Sequence, residues 1–195
     1  DTGMAGASRS LYMDGNATII AANKLLAAMR KEDGTLRTYD EMKAEGIETK
    51  YLGRYETNTT PGLCRLDPNT GIGDPTPAFT YCLNLAEVEV DTKTGKTTVL
   101  KFTCVDFVGR IGNIDAVNGQ AYSGIMHGIG FALKEDYADV KKHANMFGAG
   151  TSYIKDVPDD INLIHIDGAI SDGPFGSSGA SEAFQASGHC AVLNG

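Results

Sequence analysis

The chain has 195 residues, of which 42% are hydrophobic and 22% charged, a composition typical of a folded globular protein. Its 25 acidic residues outnumber its 17 basic residues, which gives a net charge of −8. No cluster of Lys and Arg interrupts this acidic balance, so the sequence argues against a nucleic-acid partner and an anionic-membrane partner. No apolar run approaches the roughly 18 residues that a membrane span requires, and we expect a soluble, cytoplasmic protein.

The elements predicted in chain order describe an α+β fold with helices packed on a mixed sheet, and the first of them are helical. Apolar residues recur at helical spacing over residues 13–29, and Gly34 follows as a stop signal. Thr38 and Glu41 have the spacing of a capping box, which predicts a short helix to about Glu45.

Strands are predicted in the middle of the chain. Residues 47–55 are compatible with a strand, and residues 58–77 form a connection rich in Gly, Pro, Asn and Thr. Residues 80–91 alternate between apolar and polar side chains, and residues 97–106 return as an antiparallel partner across a turn signal at 91–96. On the first of these strands we expect one face to carry Cys82, Ala86, Val88 and Val90, and the solvated face to carry Glu87 and Glu89.

A helix over residues 118–135 is unusually rich in small residues, among them Gly119, Gly124 and Gly128. Each internal glycine costs a helix about 1 kcal/mol relative to alanine, so close packing against another backbone or a ligand must offset the cost. Residues 159–167 then predict a strand that feeds a glycine-rich loop, with a further helix through residues 186–193.

The glycine-rich loop is followed by a single carboxylate, Glu182, at the expected start of a helix. A carboxylate placed by a flexible turn on a rigid scaffold is a candidate base or ligand. The alternative is a helix capped by Ser178 or Ser181, with Glu182 merely stabilised by the helix N-terminus. These residues alone leave both interpretations open.

The cysteines and histidines predict no metal site. Four cysteines are widely spaced without a Cys-x-x-Cys pair, so we expect buried reduced thiols that act as small hydrophobic groups and no iron-sulfur cluster in this chain. The cysteines are Cys64, Cys82, Cys104 and Cys190. His143, His165 and His189 have no apparent companions, and a single histidine such as His127 rarely forms a metal site.

Three segments, in the same order, resemble molybdenum hydroxylases, the xanthine oxidase and aldehyde oxidoreductase family, and bacterial aldehyde oxidoreductases in particular. Pro-Phe-Gly-Ser-Ser-Gly-Ala-Ser-Glu, at 174–182, resembles the family's glutamate loop, in which Gly-Val-Gly-Glu is common. The small residues of 1–17 are similar to a segment that wraps the molybdopterin. Residues 118–135 resemble the family's Gly-Gln-x-x-Gly-Gly-x-x-Gln-Gly-Ile-Gly helix.

The resemblance implies a role for each matching position. Glu182 falls on the family's catalytic glutamate, a general base. His127 stands where the family usually has glutamine; its imidazole still donates a hydrogen bond but titrates near neutral pH. The positions implied to contact the cofactor are Gly6, Ala7, Ser8, Arg9, Ser10, Gln120, His127, Gly179, Ala180 and Ser181.

The resemblance also implies a molybdenum-dependent oxidation of an aldehyde or N-heterocycle with water-derived oxygen. The expected cofactor is molybdopterin, in its cytosine dinucleotide form, with iron-sulfur clusters on other domains or subunits. Because the chain starts inside a motif at Asp1 and stops in an apparent helix, we expect residues 1–195 to be one incomplete C-terminal portion of the molybdopterin-binding domain, inactive alone. The rival is a non-catalytic nucleotide- or phosphate-binding module or an inert structural fragment, although no phosphate-loop or dinucleotide fingerprint opens a helix.

Overall fold

The computed structural model describes residues 6–57, 66–73, 76 and 78–195. Its helices are α1 (Gly15–Met29), α2 (Tyr39–Ala44), α3 (Ile114–Leu133), α4 (Met146–Ala149) and α5 (Ser181–Asn194). Its strands are β1 (Tyr81–Val90), β2 (Thr97–Phe107) and β3 (Asp160–His165). The predicted α+β class is therefore confirmed.

The three strands form one mixed sheet in the order β1-β2-β3. β1 and β2 are antiparallel, with Tyr81 opposite Phe107, and β3 runs parallel to β2. The Asp91 N–H donates to the Lys96 carbonyl at 2.9 Å, which closes the turn of the predicted hairpin. The hairpin prediction is confirmed, and β3 confirms the strand expected over residues 159–167.

Helices α3 and α5 lie side by side on one face of the sheet. Gly124 contacts Phe184 and Gly128 contacts Gly188, so the two helices run in the same direction. Side chains with at most 1% exposure form the core between the helices and the sheet, namely Phe102, Cys104, Ile125, Ile129 and Phe184. On β1 the predicted inner face holds for Cys82, Ala86 and Val88, which pack on this core, whereas Val90 is 50% exposed near the hairpin turn.

The N-terminal helices follow their sequence signals closely. A π-helical turn at Ser10–Asp14 runs directly into α1, which ends at Met29 as predicted. The capping box of α2 is present: the Glu41 N–H donates to the Thr38 hydroxyl at 3.2 Å, and the Thr38 N–H donates to the Glu41 carboxylate at 2.7 Å.

Two expectations about local structure are wrong. Residues 47–55 form no strand, because the segment lies along α1: Lys24 donates to the Leu52 carbonyl at 2.8 Å, and a Cβ at Gly53 would collide with the α1 backbone. Helix α3 starts at Ile114 rather than near residue 118, because the Asn113 side chain accepts the Ala116 N–H at 3.0 Å and caps the helix. Within the connection at 58–77, residues 66–73 and 76 are irregular, and the remainder lies outside the described residues.

Candidate cofactor site

Three chain segments meet at one end of the sheet around a cavity of about 520 Å³. They are the turn before α1, the residues that lead into β1, and the loop that leads into α5. The cavity is lined mainly by small and hydroxyl-bearing residues together with Arg9, Tyr12 and Glu182. Such a lining offers hydrogen-bond donors at close range to a polar ligand.

The loop into α5 is fixed to the sheet by hydrogen bonds on both sides. The Ser178 N–H donates to the Val108 carbonyl at 2.9 Å, and the Ser178 hydroxyl donates to the Phe79 carbonyl at 2.8 Å. The Thr80 hydroxyl donates to the Gly179 carbonyl at 2.6 Å. Ser178 is 2% exposed, so its hydroxyl holds the loop in place rather than facing a ligand.

The turn before α1 has an unusual backbone. Ala7 and Ser8 have φ angles of 50° and 57°, in the left-handed region that non-glycine residues rarely adopt. The Tyr12 N–H closes the turn by donating to the Ser8 carbonyl at 3.0 Å, and the Ala180 N–H donates to the Ser8 hydroxyl at 3.2 Å. This second bond ties the turn to the α5 loop, so the two predicted cofactor segments form one wall of the cavity.

Glu182 stands at the junction of these two segments. Its carboxylate accepts the Ser181 hydroxyl at 2.9 Å and the Ala7 N–H at 3.4 Å. The Ser181 hydrogen bond, followed by backbone N–H groups, holds the pKa of Glu182 below its usual range, against a smaller effect of burial. The side chain is therefore ionised at neutral pH and can accept a proton.

The helix-capping interpretation of the serines is wrong. No side chain caps the N-terminus of α5. Ser178 is engaged with Phe79, and the Ser181 hydroxyl points to Glu182 instead. The two serines therefore act on the loop and on the carboxylate.

The structure brings together six of the predicted site residues and leaves four apart from this cavity. Ala7, Ser8, Arg9, Gly179, Ala180 and Glu182 line it, and Ser181 adjoins it. Gly6 and Ser10 flank the turn without lining the cavity, and Gln120 and His127 lie on the exposed surface of α3. Sequence reasoning missed Tyr12 and Thr80, which carry no local signal because their placement depends on contacts distant in sequence.

A buried polar network behind the cavity was also missed. The His165 ring contacts the Asp106 carboxylate through Nδ1 at 2.6 Å and the Asn118 side chain through Nε2 at 2.7 Å. Asp106 is 1% exposed, and burial raises the pKa of its carboxyl group while His165 acts in the opposite direction. His165 is therefore a nearly buried residue with two polar partners that the sequence did not indicate.

The described residues contain neither a metal-binding cluster nor a membrane-spanning helix. They contain no cluster of three or more His, Cys, Asp or Glu side chains arranged to hold a metal ion. None of their helices combines the length and apolar character needed to cross a membrane. Cys104 is buried as predicted and Cys82 is partly buried, whereas the prediction is wrong for Cys190, which is exposed near the C-terminal end of α5. Cys64 lies outside the described residues.

Comparison with known proteins identifies the class to which this fold and site belong. Residues 1–158 match the model of the molybdopterin cofactor-binding domain, and the chain belongs to this family. The family that the sequence resembled is thereby confirmed.

Among the individual relatives, aldehyde oxidoreductases match this chain over nearly its full length. The chain is 41% identical over 194 residues to the aldehyde oxidoreductase of Megalodesulfovibrio gigas, covering 100% of the chain and 21% of that protein. The crystal structure of the aldehyde oxidoreductase from Desulfovibrio desulfuricans ATCC 27774 superposes with a TM-score of 0.89 at 42% identity, over 99% of this chain and 21% of that one. A probable hypoxanthine oxidase of Escherichia coli strain K12 is 31% identical over 112 residues, 55% of the chain and 12% of that protein. The chain thus spans about a fifth of the length of the aldehyde oxidoreductases it matches.

Proposed function

We propose that this chain supplies part of the molybdopterin site and the catalytic base of a molybdenum-dependent oxidoreductase. The reaction is the hydroxylation of an aldehyde or an N-heterocycle with oxygen derived from water. The observation that carries the proposal is the position of Glu182, an ionised carboxylate on the wall of a cavity formed by two segments that are predicted to bind the cofactor.

The residues around the cavity fit a polyanionic cofactor. The Ser8 hydroxyl lines the cavity and accepts the Ala180 N–H, so its own proton can be donated to a bound anion. Arg9 adds a guanidinium, which matches phosphate oxygens in charge and geometry. These donors suit the phosphates of the cofactor, and we propose its cytosine dinucleotide form because the resemblance to bacterial relatives implies it.

Glu182 acts as the general base. When bound, the cofactor supplies the molybdenum centre that oxidises the substrate. One carboxylate oxygen of Glu182 accepts the proton of the nucleophilic hydroxyl, while the Ser181 hydroxyl keeps the side chain oriented and ionised before the transfer. General base catalysis of this kind contributes about 100-fold to 10,000-fold to the rate.

Other predicted contacts extend the proposal beyond this cavity. Gly6 and Ser10 flank the turn, and Gln120 and His127 on α3 would contact a part of the cofactor that reaches past the cavity wall. We further propose that residues 1–195 are a portion of one domain. The remainder of that domain and iron-sulfur clusters on other domains or subunits would complete a cytoplasmic enzyme, and this chain alone would be inactive.

The proposed substrate classes are taken from the names of the relatives. The similar proteins are called aldehyde oxidoreductase and probable hypoxanthine oxidase, so an aldehyde and an N-heterocycle such as a purine are the two candidates. The greater coverage and identity of the aldehyde oxidoreductase match favour the aldehyde.

The test is Glu182→Gln in the complete enzyme, purified from cells that make the cofactor. Glutamine keeps the size of the side chain and can still accept the Ser181 hydrogen bond, but it does not accept a proton at neutral pH. Turnover is expected to fall at least about 100-fold while molybdenum and cytidine nucleotide remain near one per chain. Glu32→Gln, an exposed position between α1 and α2, is the matched control and should retain full turnover.

Two results would contradict the proposal. Near-normal turnover of Glu182→Gln would remove Glu182 as the base while leaving cofactor binding intact. If the purified wild-type enzyme contained neither molybdenum nor nucleotide, the inert structural fragment would be favoured. If it contained nucleotide without molybdenum, the non-catalytic binding module would be favoured.

A further inference from the structure

Two cysteines that the proposed function does not use lie side by side in the β1–β2 hairpin. Both are free thiols, and the sulfur atoms of Cys82 and Cys104 are 3.4 Å apart. In the strand register Cys82 pairs with Asp106 and Cys104 with Asn84, so the cysteines are diagonal neighbours. A disulfide bond, about 2.05 Å long, requires the two sulfurs to approach each other by about 1.4 Å.

The two thiols are chemically unequal. Cys104 has no exposed surface, whereas Cys82 is partly exposed. The hydrogen bond from the Cys104 thiol lowers the pKa of Cys82 to about 7, against the effect of burial and of the nearby Asp106 charge. The same contact, together with burial, raises the pKa of Cys104. Because the thiolate is the reactive form, Cys82 is the nucleophile of the pair at neutral pH.

We propose that Cys82 and Cys104 form a thiol–disulfide exchange site for low-molecular-weight disulfides such as oxidised glutathione. The Cys82 thiolate attacks one sulfur of the small disulfide, whose S–S bond breaks and releases one thiol. Cys104 then loses its proton to solvent and attacks the Cys82 sulfur, and the second small thiol leaves as the protein disulfide forms. Two electrons pass from the protein thiols to one small disulfide, which becomes two thiols.

The position of the pair connects it to the cofactor site. Thr80, two residues before Cys82, donates to the Gly179 carbonyl at 2.6 Å. Asn84, two residues after Cys82, donates to the Ser187 hydroxyl of α5 at 2.6 Å. Strand β1 therefore holds both the loop and the helix that carry Glu182, and the dithiol lies between these two attachments.

The experiment uses the complete enzyme, whose folded state is checked by circular dichroism before incubation with oxidised glutathione at pH 7. Remaining thiols are blocked with N-ethylmaleimide, and the chain is digested with trypsin, which cuts between the two cysteines. Mass spectrometry is expected to find the peptide that contains Cys82 linked to peptide 102–110, which contains Cys104. The yield of this link should rise with pH, because a larger fraction of Cys82 is then the attacking thiolate.

Single variants separate the roles of the two thiols. Cys104→Ser should accumulate glutathione on Cys82, because no second thiol resolves the mixed disulfide, whereas Cys82→Ser should leave Cys104 unmodified. Cys190→Ser is the control, since Cys190 is exposed and lies outside the pair, and it should give the same linked peptide as wild type. Glutathione on Cys190 would show that the reagent is active. If Cys82 and Cys104 were then both alkylated in the folded wild-type protein, the proposal would be overturned. Equal modification of Cys104 in Cys82→Ser would also overturn it.

Discussion

Gly124 of α3 lies so close to Phe184 of α5 that a Cβ added at Gly124 would stand 2.5 Å from the Phe184 Cβ. One turn further on, a Cβ at Gly128 would approach the Gly188 Cα to 3.1 Å. The glycines that weaken α3 as a helix therefore allow backbone contact with α5. This contact fixes the helix that begins beside Glu182.

Gly124→Leu is expected to lower the free energy of unfolding by about 1–3 kcal/mol, because the added side chain overpacks the α3–α5 contact. Gly119→Ala is the matched control on the same helix, since a Cβ there meets nothing within 4 Å. It should raise the free energy of unfolding by up to about 1 kcal/mol through helix propensity. Urea unfolding of the two variants measures both effects. If Gly124→Leu had the same free energy of unfolding as the wild type, the two helices would be able to move apart at little cost.

Ser181→Ala is expected to shift the acidic limb of the pH–rate profile of the complete enzyme to higher pH. The hydroxyl stabilises the ionised form of Glu182, so its loss raises the pKa of the carboxyl group, and the base becomes protonated at a higher pH. The pH dependence of kcat/KM measures the shift. Ser187→Ala, on the same helix but bonded to Ala183 and Asn84, should leave the limb in place. An unshifted limb in Ser181→Ala would exclude this role.

Asp106→Ala is expected to lower the free energy of unfolding by about 1–3 kcal/mol, because it leaves the His165 ring nitrogen that lies 2.6 Å from the Asp106 carboxylate without its partner. The control is Glu56→Ala, which breaks an ion pair with Arg54 whose side chains are 83% and 73% exposed. That change should leave stability nearly unchanged because solvent screens exposed pairs. Similar unfolding curves for the two variants would show that the buried network contributes little.

Arg9→Ala is expected to weaken retention of the cofactor in the complete enzyme by about tenfold or more, because a charge-assisted contact to phosphate is lost. The measurement is the cytidine nucleotide remaining per chain after dialysis. Arg54→Ala removes the same charge at an exposed position that does not line the cavity, and it should retain the nucleotide at the wild-type level. Equal retention by both variants would contradict the proposed cofactor contact.

The elements that could be predicted from sequence are those whose signals are local. The β1–β2 hairpin follows from alternation around a turn signal, and α2 follows from its capping box. The glycines that precede Glu182 mark it as a candidate base, while its role as the base comes from the resemblance to molybdenum hydroxylases and stays a prediction. Each of these signals lies within about ten residues, so pattern and propensity are sufficient.

Contacts between distant residues could not be predicted in the same way. Cys82 and Cys104 are separated by 22 positions, and Asp106 and His165 by 59, so their contacts depend on the register of the sheet. Residues 47–55 have a strand-like composition, yet packing on α1 provides their contacts instead. Local preference was overridden there by tertiary structure.

The parallel course of α3 and α5 has an electrostatic consequence at the cavity. Each helix carries the equivalent of about half a positive charge at its N-terminus, and both helices begin at the end of the sheet where the cavity lies. Arg9 adds a full positive charge on the cavity wall. The ionised Glu182 carboxylate on the same wall offsets the charge of Arg9, so the potential that an anion meets there depends on where each of these groups lies and not on the net charge of −8.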